Sequence, residues 1–495
     1  MNTLKKILIG AGMSFMVILM PGCDQFETFN ENPNEPTSVG VDVLFTSGLR
    51  NAMNTMVTES FLLGNNIGQL TAKTLRTEVD AYNWNAFPTV WEGLYESLTD
   101  IHQVEVLANA EENQQMEGAA LVTKVWIYAT LTNAYGDIPY SQAIQGGADN
   151  FTPSYDSQDA IYEDLLATLD RAKGLLSGAG SISGDIIYNG NAANWVKLAN
   201  GLTMRLLMTA GDKISSAASK FATVANSGQL MTKNSENATL TYLSGFPNQF
   251  PLIPIKTGDF DAVAISKTAL DILMEYKDPR LMRYARPDND DFNDISAFNG
   301  AVNGSNSSSC SKTGSRLGVS YWDDPTRTTA ASLGLASAEG IIMTAAETHF
   351  LLAEAVALGW IDGNIETLYK GGIAASMEYY KVDVNPFGWS DFEDYYNNSG
   401  VAYSAVKDIW KQKWLSLFFT GLEPYFEVRR WYKASGMSWD GIPFLDAPCD
   451  NLNADKLPLR FLYPGQEQSL NAASYEAAVN KLGGNNQNAA MWLMQ

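Results

Sequence analysis

From Val43 onward the apolar residues of this chain recur three and four apart in one segment after another, and that spacing constrains the fold more than any other feature. Trp91, Leu94, Tyr95 and Leu98 make one stripe, and Leu121, Val125, Tyr128 and Ala129 a second. Ile161, Leu165, Leu166 and Leu169 make a third, and Trp195, Leu198, Leu202 and Leu206 a fourth. Residues at this spacing share one face of an α-helix. The alternation expected of half-buried strands is scarce. The helical segments come in pairs with short connections, and several set alanines beside a large aromatic, as Ala119-Ala120 with Trp126 and Ala353 to Ala357 with Trp360. Such pairs bury their faces only against neighbouring pairs, which is the packing of tetratricopeptide-like hairpins, although no clean repeat of about 34 residues emerges. The expected fold class is all-α.

Composition narrows what such a body can do. At 495 residues, with 45% hydrophobic and 18% charged residues, the chain can bury a large interior. Its 33 basic and 55 acidic side chains leave a net charge of −22, which repels a polyanion and excludes nucleic acid as an expected partner. His102 and His349 are the only histidines, so imidazole-rich metal sites are nearly excluded and general bases near neutral pH are few. There is no G-x-S-x-G, H-E-x-x-H, C-x-x-C or G-x-x-x-x-G-K-[ST] motif. Asp288, Asp290, Asp291 and Asp294 lack the glycine and terminal glutamate of an EF-hand loop and read as a solvated acidic loop. No metal, cofactor or catalytic residue is expected. Paired carboxylates for glycoside cleavage are a matter of spatial separation, so a surface glycosidase stays open as an alternative.

The amino-terminal segment reads as an address. Lys5 and Lys6 precede an apolar run from Ile7 to Met20. At about 1.5 Å per residue it spans roughly 21 Å, short of a hydrocarbon layer of about 30 Å. It ends in Leu19-Met20-Pro21-Gly22-Cys23, which resembles a bacterial lipobox, with Met20 where leucine is usual. Residues 1–22 are therefore expected to be a removed lipoprotein signal, Cys23 the lipidated residue, and 23–40 a proline-broken tether. A plain secretory signal with an incidental cysteine is the alternative. Residues 41–495 make the helical domain. Cys310 and Cys449 remain as a pair in an exported chain, a possible disulfide or two unrelated thiols.

Three stretches break the helical rhythm: Arg76 to Pro88, the long segment 285–339, and Asn385 to Tyr403. Long irregular segments inside a compact chain are usually functional or disordered.

Several motifs occur in order along the chain. Asn32-Pro33-Asn34-Glu35-Pro36 follows the lipobox cysteine, and Gly136-Asp137-Ile138-Pro139-Tyr140 follows the second stripe. Trp195-Val196-Lys197-Leu198-Ala199-Asn200 leads to Leu202 and Arg205. Then come Asp278-Pro279-Arg280-Leu281, Met343-Thr344-Ala345-Ala346-Glu347, Phe419-Thr420-Gly421-Leu422-Glu423 with Arg429-Arg430, and Pro458-Leu459-Arg460-Phe461-Leu462-Tyr463-Pro464. With them the chain resembles the SusD-like (SusD/RagB) surface lipoproteins of Bacteroidetes over nearly its whole length.

That resemblance implies a single tetratricopeptide-like α domain with long irregular ligand-binding loops. It also implies a lipid-anchored protein on the outer membrane, facing the cell exterior, that is not an enzyme. Its partner would be a SusC-like TonB-dependent transporter, and its cargo an oligosaccharide or polysaccharide. Most of the motifs are then scaffold, with Arg205 and Glu423 holding helices together. Sugar rings present apolar C–H faces that flat aromatics cover, while amides and carboxylates take the hydroxyls. The expected ligand-binding residues are accordingly Trp84, Trp322, Tyr82 and Tyr321, with Asp80, Asn83, Asn85 and Asp323 as polar partners. The negative charge favours a neutral glycan over an acidic one, unless Arg76, Lys312 and Arg316 form a local positive patch. A peptide or other nutrient carried by the same fold and partner is the alternative, favoured by an open acidic groove without aromatic platforms. A pure helical interaction scaffold is the blandest reading.

Overall fold

All four sequence stripes lie on helices of the computed structural model, which describes residues 39–146, 149–323 and 328–495. The signal segment, Cys23 and the tether up to residue 38 fall outside the described residues. The first helix, α1 (Val41–Glu59), packs on α2 (Pro88–Ala110), which carries the Trp91 stripe and starts on a proline whose missing N–H costs nothing at that position. Next comes α3 (Gln114–Tyr135), against α4 (Gln158–Leu176), which packs in turn on α5 (Ala192–Thr209). Further along, α6 (Ala345–Ala357) and α7 (Ile365–Tyr380) form another pair, joined by α8 (Val406–Ser416) and α9 (Glu423–Ala434). Side-chain oxygens cap several of these helices: Asn113 accepts from Met116 N, Asn191 from Asn194 N and Asn364 from Thr367 N. Almost every residue of α3 is buried, so it runs through the core.

Buried ion pairs fasten these pairs to each other. Arg205 on α5 holds Glu347 on α6 with two 2.7 Å bonds, reaches Glu423 at the start of α9 at 3.3 Å, and donates to the Ile342 carbonyl at 2.8 Å. Arg280 grips Asp278 at 3.0 and 2.6 Å and donates to Gln412 on α8. Gly64 meets Gly421 so closely that a Cβ there would collide with the Gly421 carbonyl oxygen. Arg205, Asp278, Arg280, Glu347, Gly421 and Glu423 belong to the family-like motifs, and here they are scaffold.

Extended structure is confined to short pieces. The strands β1 (Thr71–Lys73), β2 (Ile138–Pro139), β3 (Tyr155–Asp156), β4 (Ala238–Leu240), β5 (Val263–Ile265) and β6 (Gly340–Met343) form antiparallel pairs β1–β5, β2–β3 and β4–β6. In the last pair Thr239 faces Ile341 and Leu240 faces Gly340. Segment 285–339 contains two 3-10 turns, Ile295–Ala297 and Ala331–Leu333, and is tied down by bridges from Ala285 to Leu317 and from Ala264 to Arg316. A disulfide joins Cys310 to Cys449, with Cα atoms 6.6 Å apart. In the acidic loop, Asp288 accepts from Asn299 and Ser315, and Asp294 accepts from Ser296. The residues from Val41 onward form one compact unit.

Candidate functional site

The first loop chosen from the sequence is packed inside. Trp84 is 7% exposed, donates from Nε1 to the Val79 carbonyl at 2.9 Å, and is edged by Phe87, Tyr425 and Phe461 at 5.5, 5.7 and 5.5 Å. Tyr82 is fully buried with its hydroxyl on the Ile67 carbonyl, and Gln487 bonds the backbone of both residues. Asp80 is buried too, accepting from Lys73 N at 2.7 Å and Asn303 Nδ2 at 3.1 Å, and burial pushes its carboxyl up to about 7. Only Asn83 and Asn85 face solvent. The expected platform at Tyr82 and Trp84 is therefore corrected to core, because the carboxy-terminal segment around Gln487 and the 303–306 loop cover it.

The second group splits. Trp322, 7% exposed, stacks on Phe260 at 5.1 Å, and Phe260 stacks on Phe61 at 5.6 Å. Arg316 lies 5.7 Å above the indole and pairs with Asp261. Asp323 accepts from Ala330 N at 2.9 Å, which makes it a loop brace. These two expectations are likewise corrected: the indole has no open face in this conformation. Among the described residues no tryptophan or tyrosine is more than partly exposed; the fully exposed aromatic rings are Phe151 at 72% and Phe246 at 85%. Phe246 sits on the Gly245-Phe246-Pro247 turn. That turn chemistry between polar residues was the signal available in the sequence.

Tyr321 does reach an opening. Its ring stacks on Phe419 at 4.2 Å and forms part of the wall of a cleft of about 470 Å³. The segment 285–339 supplies Ser320 and Ala336 to Ala338, and its two arms are pinned by the 2.7 Å bond from Ala338 N to the Ser320 carbonyl. β4 and β6 supply Thr239 and Ile341, the end of α7 supplies Glu378, Tyr379 and Tyr380, and the short helix Leu281–Tyr284 supplies Arg283. Lys381, in a left-handed conformation at φ +49°, turns the chain beside it.

The polar groups around the cleft converge. Glu339 accepts from Thr241 at 2.7 Å and from the Tyr379 hydroxyl at 3.3 Å, while Glu378 accepts from Asn234 at 2.9 Å. Burial, with Glu339 alongside, holds the Tyr379 phenol well above its ordinary value, so it stays a neutral donor. Burial pulls the Arg283 guanidinium below its ordinary value, against the opposing pull of the Tyr321, Tyr380 and Tyr379 phenols. No histidine or cysteine lines the cleft. A cavity of this size with a few aimed polar groups suits a small ligand or the end of a longer one. Of the residues expected from the sequence, only Tyr321 lines it. Tyr379 and Tyr380 were missed because aromatics at a helix end read as core.

An all-α, tetratricopeptide-like body with a polar and aromatic cleft at its irregular segment defines the class of a helical binding protein. Residues 33–464 match the SusD-like family described as starch-binding and associating with the outer membrane, and the chain belongs to that family. It is similar to an outer membrane protein from Bacteroides vulgatus that is ascribed to nutrient binding, with 26% identity, TM-score 0.77, and 92% of this chain and 100% of that one covered. A SusD homologue from Bacteroides fragilis matches at 24% identity and TM-score 0.73, covering 92% of this chain and 100% of its own. A chitin-binding SusD homologue from Flavobacterium johnsoniae matches at 22% identity and TM-score 0.72, covering 91% and 98%. Among curated proteins no relative matches. Among the described residues no helix is long and apolar enough to cross a membrane.

Proposed function

We propose that this protein captures an oligosaccharide, or one end of a polysaccharide, in the cleft beside Tyr321 and passes it to a SusC-like TonB-dependent transporter without cleaving it. The observation that carries the reading is the cleft itself: about 470 Å³, walled by Tyr321 and Tyr379 and fringed by hydroxyl, amide and carboxylate groups, in a chain of the SusD-like family. The chitin-binding name of a protein with the same fold supports a glycan as cargo. Lipidation at Cys23 would hold the protein on the outer membrane facing outward, since two or three acyl chains anchor durably where one does not. The net charge of −22 favours a glycan that is neutral over most of its length. Modest affinity suffices, because a millimolar constant corresponds to about −4 kcal/mol and a transporter that holds its lid close raises the effective concentration.

Retention on gels cast with different polysaccharides tests this. Ala336→Trp fills the cleft from an exposed loop position, and Tyr379→Ala removes a wall; both should abolish a retention that the parent protein shows. Unchanged retention in both variants would remove the cleft from the account. A second reading, peptide cargo, draws on two observations: no tryptophan or tyrosine among the described residues is more than partly exposed, and Glu339 and Glu378 both edge the cleft. Binding of short peptides in place of every glycan would establish it.

A further inference from the structure

Arg283, half-buried in the cleft wall, departs from the way this molecule treats its enclosed arginines. Arg205 and Arg280 are bound to carboxylates, Arg430 holds Glu354 with two 2.8 Å bonds, and Arg460 donates to the Tyr135 carbonyl at 3.0 Å. Arg283 Nε and Nη1 are shut away from solvent with no hydrogen-bond partner, and among the described residues no carboxylate pairs with its guanidinium. Its neighbours are the phenols of Tyr321, Tyr380 and Tyr379. A guanidinium in such a place keeps its charge and is costly to leave unmatched. The remaining nitrogen, Nη2, is not among the enclosed atoms, and one charge-assisted bond from it to a carboxylate supplies the missing counter-charge.

Arg283 lines the cleft, and the two carboxylates there have other donors. Glu339 is held by Thr241 and Tyr379, and Glu378 by Asn234. Ser320 and Ser337 add hydroxyls at the edge, and the volume of about 470 Å³ accommodates one or two sugar rings. We infer that the cleft is a subsite for a hexuronate, a sugar whose ring carboxylate pairs with Arg283 while its hydroxyls meet the serine, tyrosine and glutamate groups. The inference rests on the reading of the cleft as a glycan site and names the residue of the polymer that enters it. It is compatible with a chain that is neutral elsewhere: the average field of the protein opposes a polyanion, whereas one acidic residue meets a local cation.

The direct test is calorimetric titration of the intact protein with digalacturonate and with its methyl ester, which keeps the shape and removes the charge. The acid should bind at least tenfold tighter than the ester. Arg283→Gln should erase that preference, bringing acid and ester to the same affinity, and Arg283→Lys should restore part of it. Equal affinity for acid and ester, a preference that survives Arg283→Gln, or no binding of either would overturn the inference. So would binding of a tripeptide with a free carboxyl terminus but not its amide, if digalacturonate is ignored. Should Arg283→Gln fail to fold, the comparison of acid with ester on the parent protein still decides. Polysaccharide retention lost in Ala336→Trp, together with indifference to the carboxylate, would leave the cleft standing and remove only the role of Arg283.

Discussion

Trp84 shows how a residue chosen for exposure can end as core. Nothing within Tyr82-Asn83-Trp84-Asn85 reveals that Gln487, some four hundred positions away in the chain, bonds its backbone. The prediction therefore changes character: Trp84→Ala should cost about 3–5 kcal/mol of stability by opening a cavity, measurable by denaturant unfolding. A loss below about 1 kcal/mol would contradict its burial. Glu59 offers a second test. Burial raises its carboxyl from 4.5 to about 7, against a hydrogen bond from Thr89 that lowers it. The folded protein thus holds this proton more tightly than the unfolded chain does. Its contribution is full below about pH 4.5 and is lost as the pH rises through about 7, and Asp80 acts in the same sense. Glu59→Gln should flatten the fall in thermal midpoint between about pH 5 and about pH 8, and an unchanged slope would remove Glu59 as its source.

Among elements, the helices were legible and the sites were not. A period near 3.6 survives any tertiary arrangement, so the stripes at Trp91, Leu121, Ile161 and Trp195 each marked a helix. The cleft is different: its walls come from β4, β6, the end of α7, Arg283 and two arms of segment 285–339, and no local pattern joins them. Among its described residues segment 285–339 holds only two 3-10 turns, and which of its side chains turn outward depends on the elements beneath, so Trp322 is stacked on Phe260 while Tyr321 reaches the opening. The Cys310–Cys449 disulfide spans 139 residues and ties that segment to the loop after Phe444. Replacing both cysteines by serine should lower stability by about 2–5 kcal/mol and leave the helices intact by circular dichroism, since the bridge constrains loops. A variant as stable as the parent would show that the loop contacts suffice without it.

Across the whole molecule, the residues that bind helices together are enclosed. Arg205, Glu347, Glu423, Arg280 and Asp278 lie inside and bind helices to each other, which explains why the resemblance of this chain to its family runs through buried residues. The cleft proposed to hold the ligand is lined by segments outside the family motifs, with Phe419 as the exception. On the proposed function, the net charge of −22 bears on which polymers approach and the cleft on what is held. Hydrogen–deuterium exchange is the most direct measurement of that division, made with and without oligosaccharides cut from a polysaccharide that the gels retain. The account predicts slowed exchange at Ser320–Tyr321, Ala336–Glu339 and Glu378–Lys381, with the interior of α3 unchanged. Slowing confined to the exposed pair Leu75–Arg76, or to any other surface away from those three segments, would contradict it.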